Sequence, residues 1–123
     1  MKKLKLLIAD DYTDNRMLLA QIAELLSLEY VLVENGKQAC DAILADDQIN
    51  IAFLDIEMPV MNGVEAVKAI RSMTYPRNSM PVVAITAHAP EHFKEKLQKS
   101  GFNNYITKPY TMDKVQSVLS LYF

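Results

Sequence analysis

Five polar residues of this 123-residue sequence stand directly after short apolar runs. Asp10 and Asp11 follow LKLLIA, and Asp55 follows IAFL. Thr86 and Lys108 follow VVAI and YIT. If these runs are strands of one parallel sheet, their ends meet at a single edge, which is where such sheets bind ligands. Three carboxylates converging there would force at least one pKa upward, unless a hard cation such as Mg²⁺ shared their oxygens.

The lysine and the threonine hydroxyl indicate that the cation would bind together with a phosphoryl group. The Lys108 ammonium suits one phosphoryl oxygen, and the Thr86 hydroxyl can donate to another. Beside a metal ion and a lysine, a carboxylate can itself act as a nucleophile and form an aspartyl phosphate. Asp55 stands alone after its run, whereas Asp10 and Asp11 look like a chelating pair. We therefore predict a metal-assisted phosphoryl-acceptor site with Asp55 as the acceptor.

Each of these residues has a simpler interpretation when taken alone. The adjacent aspartates could be a solvated loop or a helix cap, and Asp55 could form a turn at a strand end. Lys108-Pro109 could be no more than a loop breaker, and Thr86 could be a β-branched strand residue without a further role. The phosphoryl-acceptor interpretation depends on all of them meeting at one edge of the sheet.

The elements that must position these residues alternate regularly along the chain. Nearly continuous apolar runs predict strands covered on both faces, and three-to-four spacing of apolar residues predicts helices between them. Strands alternating with helices imply a parallel sheet with helices on both faces. The predicted strands are 4–9, 30–33, 51–54, 82–85 and 105–107; the predicted helices are 14–27, 37–46, one opening at Asn62 and Gly63, 91–100 and 112–122.

Composition narrows the class of protein. Half the residues are apolar and 23% are charged, with a net charge of -2, so we expect neither direct nucleic-acid binding nor attachment to a membrane. The single cysteine, Cys40, cannot form an internal disulfide, and we expect a reduced, cytoplasmic protein. The three glycines exclude a P-loop and a GxGxxG fingerprint. We expect one domain over 1–123, without an output domain.

Four segments together resemble the receiver domain of two-component response regulators: IADD at 8–11, LDIEMPVMNG at 54–63, ITAHA at 85–89 and YITKP at 105–109. MPVMNG and TAHA are most similar to receivers of hybrid sensor kinases. The resemblance implies a flavodoxin-like (βα)5 fold, a three-layer sandwich whose five-stranded parallel sheet has the order 2-1-3-4-5. It also implies a signalling switch in a His-Asp phosphorelay.

The resemblance assigns roles to single residues. Asp55 would be phosphorylated by a partner histidine kinase or histidine phosphotransfer protein. Mg²⁺ would be held by Asp10 and Asp11, directly or through water, and by Asp55 and the backbone carbonyl of Glu57. Asp11 is the preferred direct ligand. Lys108 would contact the phosphoryl group.

The resemblance also implies how the phosphorylated state is read out. Thr86 would move toward the phosphoryl group, and Tyr105, at the family's aromatic switch position, would turn inward. The face formed by the fourth helix, fifth strand and fifth helix would then change for a downstream effector protein. Glu57 and His88 occupy positions linked to the dephosphorylation rate. We expect a monomer or a phosphorylation-dependent dimer, and no enzyme activity beyond its own phosphorylation and dephosphorylation.

Two other protein classes share parts of this pattern but do not fit the sequence. A phosphatase of the haloacid dehalogenase type needs a second aspartate two residues after the first, and Asp10-Asp11-Tyr12 does not supply it. A flavodoxin-type electron carrier needs a glycine- and hydroxyl-rich loop where this chain is acidic. A receiver-like interaction module that is not phosphorylated remains the alternative.

Overall fold

Apolar side chains alternate along the strands and cover both faces of a five-stranded parallel sheet. The computed structural model describes residues 4–123, and its strand order is β2-β1-β3-β4-β5. This confirms the expected fold and order. The strands are β1 (Lys5–Ala9), β2 (Glu29–Val33), β3 (Ile51–Asp55), β4 (Val82–Thr86) and β5 (Asn104–Thr107).

Two hydrophobic cores lie on opposite faces of the sheet. On one face, Leu7 and Leu54 pack beneath the second and third helices. On the other, Ile8 and Phe53 pack beneath the first and last helices. Alternate residues of β1 and β3 enter alternate cores because successive strand side chains point to opposite faces. This gives a three-layer sandwich.

Four helices agree with their predicted positions, and three of them begin at a polar cap. Asn35, Asn62 and Thr111 each accept a hydrogen bond from a main-chain N–H three residues later. At Asn62 the Glu65 side chain bonds back to the Asn62 N–H, which completes a capping box. The helices are the first (Thr13–Leu25), second (Gly36–Ala45), third (Gly63–Arg71) and C-terminal (Met112–Tyr122).

The predicted fourth helix, 91–100, differs from its expected form. The structure has a single π-helical segment, Lys94–Gln98, and the Lys99 N–H bonds to the Lys94 carbonyl. Leu97 is the one residue of that segment that is buried, so little apolar surface holds a longer helix against the sheet. Gly101 then ends the segment with φ of 122°, as expected for a helix-terminating glycine.

Within residues 4–123, every helix is too short or too polar to cross a bilayer. The domain bounds of 1–123 remain a prediction, and residues 1–3 lie outside the described part of the chain.

Candidate functional site

Parallel register brings the predicted site residues to one edge of the sheet. Ala9 pairs with Leu54, so Asp10 and Asp55 leave neighbouring strands side by side. Asp55 itself pairs with Ile85, one residue before Thr86. Residues separated by dozens of positions therefore meet where their strands end.

Three carboxylates form the centre of this site. Asp10, Asp11 and Asp55 each offer an oxygen atom, and these atoms lie within 4.8 Å of one another. Asp10 is completely buried and Asp55 is 5% exposed, whereas Asp11 faces solvent. Two buried carboxylates this close are unfavourable without compensating positive charge.

Lys108 supplies part of that charge. Its Nζ lies 2.8 Å from Asp55 Oδ2 and 3.8 Å from Asp10 Oδ2. Burial lowers the pKa of Lys108, but the hydrogen bond to Asp55 and the charges of the aspartates outweigh it, so the pKa is raised. The ammonium is therefore firmly protonated between the carboxylates.

Asp55 keeps a raised pKa despite this partner. Burial is the largest cause, and the negative charge of Asp10 adds to it. Hydrogen bonds from Lys108 and from the Glu57 N–H, 3.0 Å from Asp55 Oδ1, lower the pKa but do not offset burial. The site thus holds more negative charge than one lysine compensates, which favours a bound cation.

Asp10 is held by three contacts that the sequence did not indicate. The Tyr110 hydroxyl donates to Asp10 Oδ2 at 2.7 Å, and the Tyr12 N–H donates to Oδ1 at 2.9 Å. The Arg16 guanidinium donates to the main-chain carbonyl of Asp10 at 2.6 Å. Burial, the bond to Asp10 and the nearby charges raise the pKa of Tyr110, so its hydroxyl remains a donor. In the sequence, Tyr110 is recognisable only as an aromatic residue after Lys-Pro, and Arg16 only as a residue of the first helix.

An open cavity of about 890 Å³ lies over Asp11, Asp55 and Lys108. Glu57, Thr86 and His88 also line it. The Thr86 hydroxyl donates to the His88 carbonyl at 3.0 Å. The hydroxyl therefore bonds to the loop after β4, and its movement toward a phosphoryl group remains a prediction.

Tyr105 lies outside this cavity, on β5 at the edge of the sheet. Its partly buried ring packs against Phe93, with ring centroids 5.4 Å apart. The contact links β5 to the residues just before the π-helical segment. Tyr105 is thus placed where a switch residue could reach the predicted signalling face, and that role stays a prediction.

Gly63 allows the third helix to begin close to the acceptor strand. Its N–H donates to the Ile56 carbonyl at 3.0 Å. A Cβ added at Gly63 would lie 2.3 Å from the Asp55 carbonyl oxygen, which is too close for any side chain. The glycine of MPVMNG is therefore required by close packing beside Asp55.

The donor set fits a hard divalent cation. Carboxylate oxygens are the ligands that Mg²⁺ prefers, and it is commonly held by one or two carboxylates together with phosphate oxygens. Within residues 4–123, these aspartates are the one group of three or more acidic, histidine or cysteine side chains close enough to hold a metal ion. The open cavity leaves room for further ligands.

Comparison with known proteins gives a family match over most of the chain. The family model of the response regulator receiver domain matches residues 6–120. The sensor protein GacS of Pseudomonas syringae pv. syringae is 35% identical over 117 residues. That match covers 94% of this chain but only 13% of GacS, so the chain corresponds to a small part of that relative.

Two solved structures are similar to the whole fold. The receiver domain of sensor histidine kinase PA1611 from Pseudomonas aeruginosa, with a magnesium ion in its active-site cleft, has a TM-score of 0.86 at 24% identity; the match covers 98% of this chain and 97% of that one. The receiver domain of Ssk1 from Saccharomyces cerevisiae was solved with the histidine phosphotransfer protein Ypd1. That match has a TM-score of 0.85 at 27% identity and covers 97% and 88% of the two chains.

Proposed function

Because this chain belongs to the response regulator receiver family, we propose that it is a phospho-accepting switch of a His-Asp phosphorelay, with Asp55 as the acceptor. One observation carries the proposal: Asp55 lies at an open cavity, bonded to Lys108 and beside Asp10 and Asp11. A structural ion pair would need neither the cavity nor the extra carboxylates.

The chemistry assigned to Asp55 is an in-line phosphoryl transfer. An Asp55 carboxylate oxygen attacks the phosphorus of a phosphohistidine on the partner, the P–N bond breaks, and the imidazole leaves. The product is an acyl phosphate on Asp55. Magnesium, when held by Asp10, Asp11, Asp55 and the backbone carbonyl of Glu57, would neutralise negative charge on the phosphoryl oxygens.

Lys108 and Thr86 stabilise the product in this proposal. Lys108 already lies 2.8 Å from the acceptor carboxylate, so its ammonium can follow the charge onto the phosphoryl group. The Thr86 hydroxyl would exchange the His88 carbonyl for a phosphoryl oxygen, and Tyr105 would move inward beside it. The face formed by the π-helical segment, β5 and the C-terminal helix would pass the change to an effector protein.

The partner is proposed to be a histidine kinase or a histidine phosphotransfer protein. Tyr12, at the cavity, is 65% exposed, and Val60, next to a cavity-lining proline, is 79% exposed. We assign the partner's docking surface to this side of the domain, because the phosphoryl donor must reach Asp55 through the open cavity. The Ssk1 receiver, solved with Ypd1, is a precedent for such a complex.

The proposal also includes a cellular location and the limits of the activity. We propose a reducing, cytoplasmic location, which suits the buried free thiol of Cys40. We propose no catalysis of other substrates: the chain promotes its own phosphorylation and, through water attack near Glu57 and His88, its dephosphorylation.

The test is phosphorylation by a small donor, followed by intact mass spectrometry. With acetyl phosphate and MgCl₂ the wild type should gain the mass of one phosphoryl group, and EDTA should prevent it. Asp55→Asn should gain none, while Asp47→Asn, a matched change at an exposed aspartate, should behave like wild type. If the wild type gains no phosphoryl group, or Asp55→Asn gains it equally, an unphosphorylated interaction module is the better assignment.

A further inference from the structure

Tyr110 joins the acidic site to the core beneath the C-terminal helix. The residue directly follows Lys108-Pro109 and is only 4% exposed. Its ring belongs to the core that includes Leu19 and Val115, while its hydroxyl donates to Asp10 Oδ2 at 2.7 Å. The two ends of one side chain therefore serve an apolar core and a buried carboxylate.

The contacts around Asp10 leave it little freedom. Oδ2 accepts from Tyr110, Oδ1 accepts from the Tyr12 N–H, and Arg16 bonds to its main-chain carbonyl. Asp11 is instead exposed at the cavity. The two adjacent aspartates thus differ: Asp10 is fixed in orientation, and Asp11 is open to solvent.

We propose that Tyr110 is a positioning residue of the cation site: its hydroxyl fixes the orientation of the Asp10 carboxylate and thereby sets the affinity for Mg²⁺. The inference rests on the proposed function, because it concerns the cation of the same site. Groups that hydrogen-bond to metal-binding carboxylates commonly change metal affinity by about 10- to 100-fold when they are removed. Tyr110 is the side-chain donor that Asp10 has at hydrogen-bond distance, since Lys108 Nζ lies 3.8 Å away.

A purely structural role makes a different prediction. If Tyr110 only fills the core, Tyr110→Phe keeps the ring and leaves Mg²⁺ affinity unchanged. If the hydroxyl positions Asp10, the same variant leaves a buried carboxylate oxygen without its donor. The carboxylate can then rotate, and it no longer presents a fixed charge to a cation.

Isothermal titration calorimetry with MgCl₂ alone tests the proposal. The full chain is used, at a temperature below the melting temperature of every variant. Tyr110→Phe should raise the dissociation constant for Mg²⁺ about tenfold. Tyr30→Phe is the matched control, because the Tyr30 hydroxyl also donates to a carboxylate, that of Glu24, but outside the site. It should bind Mg²⁺ like wild type. In ¹H–¹⁵N spectra without metal, Tyr110→Phe should shift the Tyr12 amide, which donates to Asp10, and Tyr30→Phe should not.

A double-mutant cycle separates positioning from general loosening. In an Asp10→Asn background, Tyr110→Phe should have no further effect on Mg²⁺ affinity, because the hydroxyl acts through the Asp10 carboxylate. Additive effects of the two changes, or a Tyr110→Phe affinity within twofold of wild type, overturn the assignment of Tyr110 while leaving the proposed function intact. Wild type that binds no Mg²⁺ would instead remove the proposed function, and this inference with it.

Discussion

Lys108 Nζ lies 2.8 Å from Asp55 Oδ2, although the two residues are 53 positions apart in the sequence. The pair forms because β3 and β5 both end at the same edge of the sheet, on either side of β4. The pair holds a protonated amine beside the proposed acceptor carboxylate before any phosphoryl group binds. Electrostatic stabilisation that is already in position does not require the site to reorganise during transfer.

Replacing Lys108 should destabilise the fold when no divalent ion is present. Lys108→Met would leave Asp55 and Asp10 without their compensating ammonium, and we expect the free energy of unfolding at neutral pH to fall by about 1–2 kcal/mol. The raised pKa keeps Lys108 charged in the folded state above its ordinary value of 10.5, so its contribution is fully present at neutral pH and is lost only as pH rises through the folded pKa. Urea unfolding measures the change, with exposed Lys68→Met as the control. A variant as stable as wild type would mean that the ion pair does not compensate the carboxylates.

Replacing Asp11 should separate cation binding from folding. Asp11 is exposed, so Asp11→Ala should change the free energy of unfolding by no more than about 0.5 kcal/mol. It removes a proposed direct ligand, so the dissociation constant for Mg²⁺ should rise about tenfold or more. Calorimetric titration is the measurement, and Asp14→Ala, at an exposed aspartate in the first turn of the first helix, is the control. Equal Mg²⁺ affinity in Asp11→Ala and wild type would argue against Asp11 as a ligand.

Replacing Tyr105 should affect the response without preventing phosphorylation. Its ring packs on Phe93 and lies outside the cavity, so Tyr105→Ala should accept phosphate from acetyl phosphate within about twofold of the wild-type rate. Beryllofluoride with Mg²⁺ should still shift the amide signals of the site. We expect the signals of Lys94–Gln98 to shift in wild type and to stay unchanged in the variant. Tyr75→Ala, at an exposed tyrosine, should respond like wild type. A full response of Lys94–Gln98 in Tyr105→Ala would contradict the switch role.

Adding one methyl group at Gly63 should disturb both the fold and the acceptor. The new Cβ would lie 2.3 Å from the Asp55 carbonyl oxygen, so the third helix or the end of β3 must shift. We expect Gly63→Ala to lose about 1–3 kcal/mol of stability. Phosphorylation should slow in parallel when assayed below its melting temperature. Lys68→Ala, an exposed change in the same helix, serves as the control. If Gly63→Ala matched wild type in both measurements, the close approach of the third helix to Asp55 would be unimportant.

The fold and most of the acidic site could be predicted from sequence because they depend on regular geometry. Apolar runs identify strands, alternation with helices makes the sheet parallel, and parallel strands end at one edge. Asp10, Asp11, Asp55 and Lys108 therefore had to approach each other once their strands were identified. The predicted fourth helix differs most from the structure, because Leu97 is the one buried residue of its helical segment and local spacing does not measure how much apolar surface a helix buries.

The tertiary structure alone decided which side chains bond to which. Tyr110 and Asp10 are 100 positions apart, and their 2.7 Å contact depends on how the C-terminal helix packs on the sheet. The position of the first helix brings Arg16 to the Asp10 carbonyl, and the packing around the site leaves Asp10 buried while Asp11 is exposed. Hydrogen bonds form only within a few tenths of an ångström of the favoured distance, and residue spacing along the chain does not specify positions that closely. Sequence thus determines which residues reach the site, and packing determines the orientation in which each is held.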